Sequence, residues 1–250
     1  MSTKISALVI TLNEAKNLRD LIKNLEFADE IIIVDSYSTD ETMTILREYS
    51  HVKVYQHVFT DFSSQRNIAL QYASHDWILF VDADERISDA LRDEILQTVQ
   101  LPDTKAGYYF KRKFYFLNNP IHFSGLSTDK NLRLFKKEGA RYSGLVHEKL
   151  NIKDTGTLQN FLTHYSYHSH KHFKDKVIYY NQLKAKEKFE KGKKPHLLMS
   201  IFHPIYTFFN RYLLRFGILD GVKGFVICKI YAQGVNERYK EWRRLQKNQS

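Results

Sequence analysis

Trp77-Ile78-Leu79-Phe80-Val81-Asp82-Ala83-Asp84-Glu85-Arg86 is the stretch whose reading decides the fold. Five apolar residues in a row suit a strand buried on both faces, which is how strands of parallel sheets read. Such a strand would carry Asp82 and Asp84 to its C-terminal tip, where α/β sheets bind their ligands. Carboxylates at this spacing can hold a hard divalent cation, and the cation can hold phosphates. The D-x-D pattern is weak by itself, since chance supplies on the order of one in a chain of this length. Its position and its companions must carry the reading.

Working outward, Ile5–Leu12 reads as another buried strand, followed by an apolar helical face at Leu18, Leu21, Ile22 and Leu25, with Asn13 as its expected cap. Glu30–Val34 is a second buried strand ending in Asp35, and Met43, Leu46 and Tyr49 mark a helix after the Ser36–Asp40 turn. Val52–Tyr55 alternates as a short strand, Ser63–Ser74 reads as a helix, and Ser88 caps a further helix running to about Val99. This β-α-β-α-β-α-β order predicts an α/β fold, with a mostly parallel Rossmann-like sheet covered by helices. There is no G-x-G-x-x-G and no G-x-x-x-x-G-K-[ST], which disfavours dinucleotide dehydrogenases and P-loop enzymes.

Residues 106–168 change character. Gly107–Phe110, Lys113–Phe116 and Leu132–Phe135 are β-prone and predict an antiparallel extension of the first sheet. Residues 171–194 read as a Lys-rich helix with Phe173, Val177 and Tyr180 on its apolar side, and residues 196–232 as aromatic, interfacial helices. The longest uncharged run there falls short of the roughly 20 residues that cross a bilayer. The expected organisation is therefore a domain over 1–168, in two halves at 1–100 and 101–168, followed by a basic, aromatic helical tail at 169–250.

Composition bounds the rest. The chain has 250 residues, 43% hydrophobic, enough for a core. Cys228 is the single cysteine, so no internal disulfide forms and a thiolate zinc site is out. The net charge of +10 is unevenly spread. Residues 1–170 hold 20 basic and 22 acidic side chains, whereas residues 171–250 hold 18 and 6. The last third thus seeks nucleic acid, anionic lipid or a phosphorylated substrate. The first apolar segment meets Asn13-Glu14 too soon for a signal peptide, which leads us to expect a cytoplasmic protein.

In a parallel sheet all strand C-termini open on one side. There Thr11-Leu12-Asn13-Glu14, Asp35, Gln65-Arg66-Asn67 and Asp82-Ala83-Asp84 converge. These pieces, in this order, resemble the family 2 glycosyltransferases, inverting enzymes of the GT-A fold. The later segments Leu132-Arg133-Leu134-Phe135, Gly144-Leu145-Val146-His147-Glu148 and Gly217–Phe225 are similar to the lipopolysaccharide-core β-glucosyltransferase-like members. Ser36 and Tyr37 depart from the D-D-G-S-T-type turn of many members, which weakens any nucleotide contact at Ser36.

The resemblance implies roles, with residues 1–100 as the nucleotide-sugar half of the domain and residues 101–168 as the acceptor half. Thr11, Asn13 and Glu14 line the donor pocket, Asp35 accepts a hydrogen bond from the base, and Arg66 approaches the diphosphate. Asp82 is shared between ribose and metal, Asp84 ligates Mg²⁺ or Mn²⁺, and His164 can add an imidazole ligand. Glu148, beside His147, is the general base, with Asp129 as the alternative. The implied activity moves a hexose, glucose from UDP-glucose, to a lipid-linked saccharide such as lipopolysaccharide core. The partners are a nucleotide-sugar donor, a glycolipid acceptor and the inner face of the cytoplasmic membrane, without nucleic acid. Three rivals stay open: a polyprenyl-phosphate glycosyltransferase on the same fold, a non-catalytic protein binding nucleic acid or an anionic surface through the basic tail, and a binding module that retains a nucleotide pocket without catalysis. Plainer readings also stand: Asp82 and Asp84 could end a strand in a solvated turn, Asp35 could cap a helix, Arg66 could pair with surface acids, and His147-Glu148 could be an idle loop pair.

Overall fold

The computed structural model describes residues 3–117, 119–126, 130–144, 148–167 and 169–248. They fall into two compact units, residues 1–112 with 130–164, and residues 113–129 with 165–250. The sequence reading put its boundary after residue 168, and the structure assigns 113–129 to the second unit.

The first unit is built on strands β1 (Ile5–Thr11), β2 (Glu30–Asp35), β3 (Val52–Gln56) and β4 (Trp77–Phe80), parallel in the order β3-β2-β1-β4. Between and after them run helices α1 (Ala15–Leu25), α2 (Thr42–Leu46), α3 (Phe62–Tyr72) and α4 (Asp89–Thr98). Because successive side chains on a strand point to opposite faces, the apolar runs feed two cores. Val9, Ile33 and Leu79 meet Leu18, Ile22, Leu91 and Ile95 from α1 and α4. Leu8, Ile32, Ile78 and Phe80 meet Ala69 and Leu70 from α3. Each fully buried Leu or Ile stabilises by roughly 1.5–3 kcal/mol, and so the strands must be apolar throughout.

The antiparallel part begins with a strand that the sequence reading missed, β5 (Glu85–Ile87), and continues with β6 (Gly107–Phe116), β7 (Asn119–Ile121), β8 (Lys130–Lys136), the small pair β9 (Tyr142–Ser143) and β10 (Lys149–Leu150), and β11 (Thr155–Tyr167). β8 lies antiparallel to β4, and the sheet continues β8-β6-β11-β5. Three residues of β5 gave too little periodicity to be seen. Their register against β11, with Glu85 opposite His164, matters for the site.

Asn13 does not cap α1. The helix starts at Ala15 after Glu14, with no side-chain cap, and Asn13 adopts a positive φ of 57°. Asn is among the few residues that tolerate this conformation. Asn13 Oδ1 accepts from the backbone N–H of Thr39 at 2.8 Å, and its own N–H donates to Ser38 Oγ at 2.8 Å. Asp40 Oδ2 accepts from Ala15 N–H at 3.2 Å and Thr42 Oγ1 from Glu14 N–H at 2.9 Å. Two loops at the C-terminal edge thus lock each other. Ser88 caps α4 as expected, accepting the N–H of Leu91, and Asp61, not read from the sequence, accepts that of Ser64 at α3.

The second unit is mostly helical: α5 (His170–Glu190), α6 (Leu197–Phe209), a π-helical turn over 210–214, a 3₁₀ turn over 217–220 and α7 (Gly221–Lys247). Its core joins Phe114, Phe116 and Ile121 to Phe173, Val177, Ile227 and Ile230. Gly234 is required where α5 meets α7, because a Cβ there would lie 2.5 Å from Val177 Cγ1. Pro204 sits inside α6. Among the described residues no helix is long and apolar enough to cross a membrane.

Candidate active site

Parallel pairing brings Thr11 opposite Asp35 at the ends of β1 and β2. Asp35 is fully buried, and four groups donate to its carboxylate: Thr11 Oγ1 at 3.1 Å, Ser38 N–H at 2.9 Å, Gln56 Nε2 at 3.2 Å and the Ser38 hydroxyl. It therefore braces the 36–42 turn, which goes beyond the helix-capping role that the plainer reading allowed. Glu14 accepts from Asn17 within the first turn of α1. Gln65 ties α3 to the same edge by donating to Ser36 Oγ at 3.0 Å.

One strand over, the chain leaves β4 at Asp82. The Asp82 carboxylate binds two buried arginines, Arg66 Nη2 at 2.8 Å through one oxygen and Arg133 Nη2 through the other. Arg66 comes from α3, and Arg133 from β8, antiparallel to β4, so the guanidinium groups reach Asp82 from different elements. Arg133 also donates to Glu85 Oε1 at 2.7 Å, and Glu85 Oε2 accepts the Asp82 N–H at 2.9 Å. Glu85 is fully buried, a position open to a carboxylate only because Arg133 and Arg112 (3.5 Å) face it. Arg66 Nε reaches Glu148 Oε1 at 3.2 Å, which rules out the surface-pair reading of Arg66.

The surroundings are aromatic. The Arg66 guanidinium lies 4.5 Å from the centre of the Phe80 ring and 5.6 Å from that of Tyr142. Tyr142 is fixed by a reciprocal backbone pair with Asn67, at 2.8 and 2.9 Å. Burial pushes its hydroxyl up to about 12, so it stays protonated. Burial works against an ionised Asp82, yet Arg133 and Arg66 outweigh it and hold the carboxyl well below the usual range. Arg66 Nη1 and Arg133 Nε are buried with no hydrogen-bond partner among the described residues.

Asp84 separates from Asp82 in both partner and direction. Its Oδ2 lies 3.2 Å from His164 Nε2, a meeting arranged by the β5–β11 register. Asp82, expected to be shared between ribose and metal, has both oxygens on guanidinium groups. Among the described residues no group of three or more His, Cys, Asp or Glu is set to hold a metal ion. A carboxylate with an adjoining imidazole nonetheless fits a cation that takes its remaining ligands from substrate phosphates and water, and the mixed oxygen–nitrogen set suits Mn²⁺ better than Mg²⁺. His147 and Asp129 lie outside the described residues.

A model of glycosyl transferase family 2 matches residues 6–146. The chain belongs to this family. Over 246 residues this glycosyltransferase is 31% identical to an uncharacterized glycosyltransferase of Rickettsia bellii (strain RML369-C), with 93% of this chain and 83% of that one covered. It is 31% identical over 232 residues to the lipopolysaccharide core biosynthesis glycosyltransferase LpsC of Rhizobium meliloti (strain 1021), covering 89% and 85%. The solved structure of S. aureus TarS 1–349 is a weak likeness, with a TM-score of 0.47 and 16% identity over 98% of this chain and 92% of that one. The family 2 glycosyltransferase expected from the motifs is thus established, along with its α/β fold and its similarity to a lipopolysaccharide-core member.

Sequence reasoning missed Arg133, Glu85, Arg112 and Tyr142 as parts of this glycosyltransferase's site. One signal was visible: Arg133 interrupts the apolar strand Leu132–Phe135, and a charge there demands a buried partner.

Proposed function

We propose that this glycosyltransferase moves a hexose from UDP-glucose to a lipid-linked saccharide such as lipopolysaccharide core, with inversion at the anomeric carbon. The observation that carries the proposal is the division of the D-x-D: Asp82 is clamped by Arg66 and Arg133, while Asp84 faces His164. The clamped half supplies fixed cations with unused donors, Arg66 Nη1 and Arg133 Nε, suited to a diphosphate. The nucleoside lies toward Thr11, Asn13, Glu14 and Asp35. Asp35 takes the base N–H in exchange for its longest donor, Gln56. Asp82 reaches the ribose from its exposed rim, 28% of its side chain.

In the transfer, the acceptor hydroxyl oxygen attacks the anomeric carbon from the side opposite the diphosphate. The bond from that carbon to the diphosphate breaks, with its electron pair leaving on the diphosphate. The hydroxyl proton passes to the Glu148 carboxylate. Arg66 meets the developing negative charge of the leaving group. Asp84, with His164 beside it, would hold Mg²⁺ or Mn²⁺, which when bound adds charge stabilisation at the diphosphate. The relative named for lipopolysaccharide core biosynthesis supports a saccharide acceptor, and the basic, aromatic tail supports work at the cytoplasmic face of the inner membrane.

One observation favours a second reading. Glu148 already pairs with Arg66, and an acceptor that is itself a phosphate, as in polyprenyl-phosphate transfer, needs no base. A donor screen with membrane glycolipid extract, reading nucleoside diphosphate release with and without Mn²⁺, decides between them together with Glu148→Gln. The first reading expects release that depends on UDP-glucose and on a saccharide lipid and collapses in the variant. Turnover on polyprenyl phosphate with the variant intact would establish the second. No release with any donor and acceptor would sink both.

A further inference from the structure

The helical unit carries a set of half-buried cations that the transfer reaction does not use. Arg238 of α7 donates through Nη2 to His203 Nδ1 of α6 at 3.3 Å, and Tyr239 Oη lies 3.2 Å from the same nitrogen. Arg238 Nε is buried and has no hydrogen-bond partner among the described residues. Arg211 lies 3.7 Å from the centre of the Tyr231 ring and donates to the Ser124 carbonyl at 2.7 Å. Lys184 and Lys188 join from α5, with the Lys188 ammonium 5.1 Å from the Trp242 ring. No ion pair with a carboxylate is seen for any of these four cations among the described residues. Glu187, the carboxylate that acts on Lys184 and Lys188, pairs with Lys191 instead. Burial, then Arg238, pushes both lysines below the ordinary ammonium range, and His203 is held neutral by the same causes, which leaves Nδ1 an acceptor.

Unpaired cations half sunk into protein are costly, and with Arg238 acting on both lysines and Arg211 on Lys184, the four form a cluster of one sign. Arg and Lys in such a setting match phosphate oxygens. A second feature points to the source of the phosphate. On α6 and the turn after it, Leu198, Ile201, Phe202, Ile205, Phe209 and Leu214 are each at least 50% exposed. An exposed apolar surface of this kind marks an interaction site. Phe202 and Ile205 flank His203, so the apolar face and the cluster meet on one helix. An apolar face backed by Lys and Arg is the arrangement of helices that lie in an anionic lipid interface.

We propose that Lys184, Lys188, Arg211 and Arg238 form a binding site for the phosphate group of an anionic amphipathic lipid, whose acyl portion lies against the exposed face of α6. The site rests on the membrane placement proposed above for the tail, but vesicle binding tests it apart from any sugar transfer.

The test uses the full chain and vesicles of phosphatidylcholine alone or with phosphatidic acid, with binding measured by co-sedimentation. Wild type should bind the anionic vesicles at least about tenfold more tightly. Lys184→Gln with Lys188→Gln should remove most of that preference. Lys174→Gln with Lys240→Gln removes two exposed charges from the same helices and should cost far less. Phe202→Ser with Ile205→Ser should weaken binding to both vesicle types, and far-ultraviolet circular dichroism checks that each variant folds. Equal losses for the two lysine pairs would overturn the proposal in favour of a diffuse field. Inorganic pyrophosphate protecting the chain in thermal melts without any vesicle binding would overturn the lipid as the source. Salt-dependent RNA binding lost in the Lys184/Lys188 pair, or a dimer abolished by Phe202→Ser, with vesicles ignored, would overturn it as well.

Discussion

Arg66 and Arg133 in the sheet unit sit among Asp82, Glu85 and Glu148, whereas Arg238 and Arg211 in the helical unit sit against His203, tyrosine rings and other cations. In the first case the cost of burying charge is offset inside the protein, and both guanidinium groups are held firmly charged. In the second it is not, and burial drives Arg238 and Arg211 down from the ordinary guanidinium range. Balanced buried charge in the sheet unit is preorganised by the protein itself, whereas the half-buried cations of the helical unit lack a carboxylate among the described residues and are the ones proposed to take a lipid phosphate.

The two units should differ most at Arg133. Arg133→Met removes the cation shared by Asp82 and the fully buried Glu85, which should cost about 3–5 kcal/mol, read as a lower urea midpoint. Arg238→Met should change stability by no more than about 1 kcal/mol, because it strands no carboxylate. Equal effects would erase the distinction between the units.

Next in size are the chemical variants. Glu148→Gln should reduce turnover by about 10²–10⁴-fold if it takes the acceptor proton. The polyprenyl-phosphate reading expects little change from the same substitution.

A smaller effect separates balanced charge from pH. Glu30 is buried at the start of β2, and burial alone would raise its pKa. Lys53 and the donors Ser6 and Ser74 bring it down instead to about 2. A carboxyl with a depressed folded-state value contributes its stability at pH above the unfolded value of 4.5, and that stability is lost as pH falls toward 2. Glu30→Gln should therefore flatten the acid limb of a urea-midpoint profile between these limits. The smallest effect is expected at Asn13→Gly, which keeps the positive φ but loses the bond to Thr39, costing about 1 kcal/mol.

Much of the sheet unit was legible because one rule governs it. Strands buried on both faces must be apolar throughout, so Ile5–Leu12, Glu30–Val34 and Trp77–Val81 stood out, and parallel pairing then carried Thr11, Asp35 and Asp82 to one edge. The partners of Asp82 were not legible. Arg133 lies 51 residues away, and its meeting with Asp82 depends on the antiparallel register of β8 against β4, which no local pattern states. His164 opposite Glu85 depends likewise on a three-residue strand. Asn13 was misread because Asn favours helix caps and the left-handed region alike, and only the partner loop at Ser38–Asp40 decides between them. In the tail, the +12 balance was plain, but its gathering into a cluster around Arg238 required helix packing.

In the function proposed, Asp84 holds the donor's metal while Asp82 stays on Arg66 and Arg133. The most direct measurement is a titration of UDP-glucose into wild type and Asp84→Asn by calorimetry, each with Mn²⁺ and with a chelator. Mn²⁺ should tighten wild-type binding at least about tenfold, and Asp84→Asn should abolish that gain while its thermal melt and its metal-free binding stay near wild type. A Mn²⁺ gain that survives intact in Asp84→Asn would contradict the account.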